Sequence, residues 1–315
     1  MVDYINIFSN ESGVTESLNN ATLNKPYLAL LNNTGKIDWN SKEIDYSQLY
    51  FTLEFEERCA LTFQKTTVDT PTIHIYYKRI NGKYASDKWE RYSTSSNPKY
   101  YIGVEAGDIV QFKGDNPSYE QFHFRTYDRD SLNTRTYAKF KAYGNVMSLI
   151  YNDDFINKTS FPENSSGNFD SLFDNARNLT DASNLVLPAI TLNEWCYGGM
   201  FADCHSLTQA PELPATTLAK GCYGSMFRDC RSLITAPVLP ATTLVDNCYM
   251  SMFFRCYSLN YIKCLATDIS ATNCTNDWVD SVQRVSGTFI TPSSTQWTTD
   301  DNGIPSGWTR VNSDV

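Results

Sequence analysis

Histidine is scarce in this sequence, three residues in 315, and acids outnumber bases by 35 to 26, a formal net charge of −9. With no long basic run, an electrostatic grip on a nucleic-acid backbone or an anionic lipid surface is not expected. No apolar stretch reaches 18 residues, so no membrane-spanning helix is expected. Residues 1–10 lack a basic start, an apolar run and a cleavage box, and do not read as a secretory signal. A glycine-rich phosphate loop and a G-x-S-x-G nucleophile elbow are both missing. These absences remove the common nucleotide-binding and serine-hydrolase readings.

What is present favours strands and contact surfaces. Aromatic residues reach 14 %, with 20 tyrosines, and charged residues make up only 19 %. The length suits two domains plus an appended segment.

Self-similarity organises the second half. Cys196, Cys222, Cys248 and Cys274 stand 26 residues apart, and Cys204, Cys230 and Cys256 repeat with the same step. Leu213-Pro214-Ala215-Thr216-Thr217-Leu218, followed by Cys222-Tyr223 and Met226-Phe227, recurs as Leu239-Pro240-Ala241-Thr242-Thr243-Leu244, followed by Cys248-Tyr249 and Met252-Phe253. An earlier copy runs from Leu187 to Phe201. Degenerate copies stand at each end, the first offset by two residues around Leu172, Phe173 and Leu179, the last keeping Cys274 and Trp278. Atypical terminal copies are what a stacked array needs, because the end coils must cap the core.

Within a coil, Leu218, Cys222 and Met226 fall at i, i+4 and i+8 after Thr217, a candidate N-cap, which predicts two to three helical turns. Residues 207–213 are too short for a helix and end at Pro214, so they predict a brief strand, one per coil, in a parallel sheet. Eight of the nine cysteines lie beyond residue 195. In-register side chains of neighbouring coils point in parallel directions and cannot reach a disulfide dihedral near 90° without strain, so buried free thiols are expected. A Cys-x7-Cys spacing with only His205 nearby does not suit zinc. No metal and no cofactor are expected.

The phrases LPATTLAKGCYGSMFRDCRSLITAPVLPATTL and CYMSMFFRCYSLNYIKCLATDISATNC resemble the BspA-like leucine-rich repeats of Bacteroidales surface proteins and of their phages, crAss-like phages among them. The closing GTFITPSSTQWTTDDNGIPSGWTRV is similar to the end of such proteins. YGNVMSLIYNDDF is similar to their junction into the repeats, and the stretch from IYYKRINGKY to VQFKGDN resembles the β domain that precedes them. The resemblance implies a solenoid devoted to adhesion or protein binding, and it prescribes no catalytic residues.

Between residues 47 and 145, seven short runs of β formers predict strands: 50–55, 59–63, 72–78, 100–104, 109–113, 121–127 and 136–142. That density suggests a sandwich, Ig-like or jelly-roll-like. Asn81-Gly82 predicts a type I′ hairpin, and Ala106-Gly107-Asp108 a second turn. His74 and His123 read as half-buried strand residues. The doublets Asp153-Asp154 and Asp300-Asp301 point their carboxyls to opposite faces of an extended chain, so neither supplies the pair that glycoside cleavage needs.

The fold expected is therefore mainly β with short helices. It comprises an attachment segment at 1–45, a β-sandwich at 46–145, a leucine-rich-repeat solenoid at 146–279 and a cap at 280–315. The attachment segment is rich in Asn and Ser and carries one apolar patch, Pro26, Tyr27, Leu28, Leu30 and Leu31, that it cannot bury by itself. The function expected is a non-enzymatic virion protein, a head fibre, decoration or tail appendage. It would be a homo-oligomer held to other virion proteins by that patch and turned toward host glycan or protein, without nucleic acid or membrane insertion. The rivals are a Bacteroidales cell-surface adhesin, an architectural capsid cement and a glycan-cleaving enzyme. Ligand contacts should fall where the copies vary while their neighbours stay fixed: His205, Arg231 and Tyr257, then Gln209, Thr235 and Tyr261.

Overall fold

The structure, a computed structural model, describes residues 44–65, 74–92, 101–116, 122–131, 134–283 and 285–313. The chain is mainly β, with several open sheets and, among the described residues, one short α-helix. The apolar patch at Pro26, Tyr27, Leu28, Leu30 and Leu31 lies outside the described residues.

Eight strands form the first part: β1 (Phe51–Phe55), β2 (Cys59–Lys65), β3 (Ile75–Arg79), β4 (Glu90–Tyr92), β5 (Ile102–Val104), β6 (Ile109–Gly114), β7 (Phe122–Tyr127) and β8 (Phe140–Asn145). All seven expected runs contain a strand. β4 was not legible, since Glu90 and Arg91 are exposed and Tyr92 is its single buried residue. One sheet has the antiparallel order β8-β1-β6-β3-β4 and a second has the order β5-β2-β7. Alternating Phe51, Leu53 and Phe55 of β1 are all buried. The two sheets meet through rings: Phe63 of β2 lies 5.4 Å from Phe112 of β6, and Phe124 of β7 lies 5.5 Å from Phe140 of β8.

The expected type I′ hairpin at Asn81-Gly82 is not there. Such a turn needs positive φ at both central residues, and only Gly82 has it. The Asn81 amide instead joins two loops, donating from Nδ2 to the Gly107 carbonyl at 2.8 Å and accepting from the Ile109 N–H at 2.7 Å. The turn at Gly107, with φ of 88°, leads directly into β6.

Beyond β8 comes the helix α1 (Ser148–Tyr151) and then the repeats. β9 (Leu179–Asp181) and β10 (Leu185–Val186) of the first coil pair in parallel with β8. Phe173 of that coil packs on Phe51, Phe124 and Phe140 at 5.9 to 6.2 Å, so the sheets and the repeats share one core.

The helical turns expected from Leu218, Cys222 and Met226 are absent, and Thr217 is not an N-cap but a parallel bridge partner of Thr191. In their place runs a chain of turns. Cys222, Gly224, Met226, Arg228 and Cys230 each donate their N–H three residues back within the coil. The residues that alternate with them, Gly221, Tyr223, Ser225, Phe227 and Asp229, donate to Asp246, Cys248, Met250, Met252 and Phe254 of the next coil, at 2.7 to 3.0 Å. Positive φ recurs at every fourth residue, at Gly221, Ser225 and Asp229. A Cβ on Gly221 would stand 2.4 Å from the Trp195 indole, so glycine there lets the coils close up.

Two aromatic columns run through these coils. Phe169, Tyr197, Tyr223 and Tyr249 stack at 5.9 to 6.2 Å, and Phe173, Phe201, Phe227 and Phe253 at 5.5 to 5.8 Å. Offset-stacked rings at this spacing contribute roughly 0.5–1.5 kcal/mol per pair beyond the area they bury. All nine cysteines are free and buried. The thiols of Cys204, Cys230 and Cys256 donate to the carbonyls of Phe173, Phe201 and Phe227 in the preceding coil, at 3.3, 3.1 and 3.0 Å.

The expected strand per coil is present in part. Pairing is parallel, but in the middle coils it is reduced to isolated bridges such as Asp181↔Gln209 and Thr235↔Tyr261. Pro211, Pro214, Pro237 and Pro240 lack the N–H that a ladder needs. Where the last copy loses these prolines, β11 (Tyr261–Lys263) forms and extends in parallel through β12 (Thr288–Thr291) to β13 (Thr309–Asn312).

Candidate functional site

The variable columns lie on the surface of the coils. His205, Arg231 and Tyr257 occupy one position of three successive coils, just past the buried cysteines 204, 230 and 256. His205 is partly buried, while Arg231 and Tyr257 are exposed. The Arg231 guanidinium lies 5.8 Å from the centre of the Tyr257 ring, so these two are brought together. The second column holds the bridges: Gln209 pairs with Asp181, and Thr235 with Tyr261.

Two arginines adjoin this column, one from the first coil and one from the connection between β7 and β8. Arg177 of the degenerate first coil precedes His205, hidden by the two-residue offset, and its guanidinium rests on the Tyr137 ring at 4.8 Å. Arg135 covers the same ring at 5.5 Å and donates to the Asn175 carbonyl at 3.1 Å. Arg177 donates to the Asn175 side chain at 2.9 Å. Beside this column runs an acidic one. Asp203 accepts from Arg228 at 3.0 Å, and Asp229, 8 % exposed, accepts from both Nε and an Nη of Arg231 at 3.2 and 3.1 Å, with Arg255 at 4.0 Å. Toward the sheets, Arg125 pairs with Asp174 at 3.2 Å.

His205 stands in the middle of this belt. Its Nε2 is buried, has no hydrogen-bond partner among the described residues and lies 3.7 Å from Asp203 Oδ1. Burial first, then the nearby charges of Arg231 and Arg177, lowers its pKa, and Asp203 and Asp229 offset part of that. Ligand atoms of Asp203, His205 and Asp229 gather within 4.8 Å of one another, a set that could hold a metal ion. The arginines argue otherwise: Arg228 and Arg231 already neutralise both carboxylates, so a cation entering there would meet guanidinium groups.

The other titratable candidates are parts of local networks. His74 pairs with Asp115 at 3.2 Å beside β3, whereas His123 on β7 holds the Ser171 carbonyl at 2.9 Å, so the two histidines have separate partners on separate sheets. Burial lowers the His123 pKa to about 4. Asp153 accepts from Lys113 and Tyr50 at 2.7 Å, which holds its carboxyl below the usual range despite the cost of burial. Asp300 is consumed within its own turn by Thr298 and Asn302, each at 2.9 Å. A cleft of about 180 Å³ between Tyr46 and the residues Leu185, Val186, Leu187, Pro188 and Pro214 has Glu212 as its one carboxylate. That is smaller than the usual small-molecule site.

Compared with protein-family models, with curated proteins and with solved structures, the chain finds no match in any of the three.

Proposed function

We propose that this chain is a non-enzymatic virion protein, a head fibre, decoration or tail appendage. In this reading a sandwich carries a short leucine-rich-repeat solenoid whose variable face contacts a host-surface glycan or protein. One observation carries the binding role. Fixed repeat positions such as Tyr223, Phe227 and Cys230 are buried in the stack, while the positions that change from coil to coil, Arg231 and Tyr257 among them, are exposed side by side. A stack that keeps its interior constant and varies its face is organised for recognition. The resemblance of the repeats to BspA-like proteins supports the solenoid. The resemblance to proteins of Bacteroidales phages supports the virion, with attachment through the apolar patch at Tyr27 and Leu30.

The test is particle association. Mass spectrometry of purified virions should find the chain, and Tyr27→Ala with Leu30→Ala should fold normally yet fail to attach. Recovery from the outer surface of an uninfected bacterium would overturn the virion reading in favour of an adhesin. Normal attachment of the double variant would move the anchor elsewhere.

A further inference from the structure

The belt around His205 has the opposite charge from the rest of the molecule. Six arginines, Arg125, Arg135, Arg177, Arg228, Arg231 and Arg255, meet three aspartates, Asp174, Asp203 and Asp229, in a chain with a net charge of −9. The aspartates are spoken for by Arg125, Arg228 and Arg231. Arg135 and Arg177 hold no carboxylate among the described residues and lie over the Tyr137 ring, 5.5 and 4.8 Å from its centre, while each also donates to Asn175. His205, whose buried Nε2 has no hydrogen-bond partner among the described residues, lies within electrostatic reach of both Arg177 and Arg231.

Guanidinium groups held in place by rings offer paired N–H donors to carboxylate and sulfate oxygens. A peptide is usually captured along a sheet edge or in an apolar groove. Among the described residues, alternate N–H groups of these turns are committed to the next coil, and the side chains gathered in the belt are Arg, His, Tyr and Asn. Such planar polar groups match hydroxyl and acid groups spaced along a sugar chain.

We propose that this belt binds an acidic polysaccharide, seating its carboxylate or sulfate groups on Arg177 and Arg231 with His205 between them. The inference rests on the binding role proposed above and names its ligand class and its site.

The test uses the full chain and immobilised heparin and polygalacturonate, with polyglutamate of matched charge beside them. The protein should be retained by at least one polysaccharide, more weakly as salt rises. Arg177→Ala with Arg231→Ala should lower the affinity about ten-fold or more while melting like the parent. Lys220→Ala, an exposed cation at the other end of the turn segment, should bind as the parent does. If the double variant melts early, Arg177→Gln alone gives the same reading at an exposed residue that holds no ion pair among the described residues, with a loss of about three-fold. Retention unchanged in these variants, no retention on either polysaccharide, or equal retention on polyglutamate would overturn the proposal. Failure here alongside normal particle association would discard the ligand and leave the appendage reading standing. Binding without particle association would do the reverse.

Discussion

The indole of Trp278 lies parallel to the ring of Tyr249, 14° from coplanar at 6.2 Å, and the same indole is 6.1 Å from Phe253. One side chain therefore joins both aromatic columns, with Trp297 stacked beyond it at 5.4 Å, and its Nε1 donates to the Gly303 carbonyl at 2.9 Å, tying the C-terminal strands to the stack. Trp278→Ala should lower stability by about 3–5 kcal/mol. Because the lost contacts belong to the last coils, those should exchange amide hydrogens first. Uniform loss of protection from residue 146 onward, or a melting curve like the parent's, would show that the cap does not hold the end of the stack.

The thiols should be silent in the folded protein. Burial pushes the thiols of Cys196 and Cys264 up to about 12 and raises those of Cys204 and Cys230 well above the usual thiol range, so almost no thiolate exists at neutral pH. A thiol reagent should label few sites under native conditions and nearly all nine after denaturation without reductant. Release of fewer thiols, with the deficit restored by reductant, would reveal disulfides that this arrangement of columns does not allow for.

Met226→Asp introduces an unpaired carboxylate at a fully buried position between Tyr223 and Phe227. The expected cost is several kcal/mol, on the order of 3–5, because the charge has no partner there. Thermal melting reads it directly, and a midpoint within a degree of the parent would mean that Met226 does not face the core.

Asp170 supplies the pH test. Burial lifts its carboxyl to about 6 from an ordinary 3.8, with Asp174 adding to the shift and a hydrogen bond from Ser171 at 3.1 Å opposing it. The folded state thus holds the proton more tightly than the unfolded state. Stability from this group is present below about pH 4 and is lost as the pH rises through 6. Asp170→Asn should therefore stabilise the protein by about 1–2 kcal/mol at pH 7.5, after discounting for partial exposure, and by almost nothing at pH 4. A melting difference that stays constant between these pH values would sink the assignment.

The N-terminal strands were legible because alternation such as Phe51, Leu53 and Phe55 is local, and β4 was not because an edge strand with Glu90 and Arg91 exposed carries a single apolar residue. In the repeats, the 26-residue step and the buried identity of Cys222, Tyr223, Met226 and Phe227 were written in the sequence. Their backbone was not. A spacing of four lies close to the 3.6 residues of a helix, so i, i+4, i+8 describes both a helix and a run of four-residue turns. Gly221 and Asp229, types that tolerate positive φ, were the overlooked signal in this coil, although Trp195 and Arg255 hold the same conformation at the matching positions of its neighbours.

His205, Arg231 and Tyr257 could be picked from the sequence because they vary within a constant frame. Arg177 was concealed by the offset of the first copy, and Arg135 with Tyr137 comes from the connection between β7 and β8, outside the repeats altogether. By itself, then, the sequence determined what is buried and with what period, since burial follows from residue type and spacing. The tertiary structure decided the path of the chain within each coil and which arginines share one face. Half of the backbone N–H groups in a turn segment find their acceptors only in the next coil, and charges far apart in sequence become neighbours only when the coils stack.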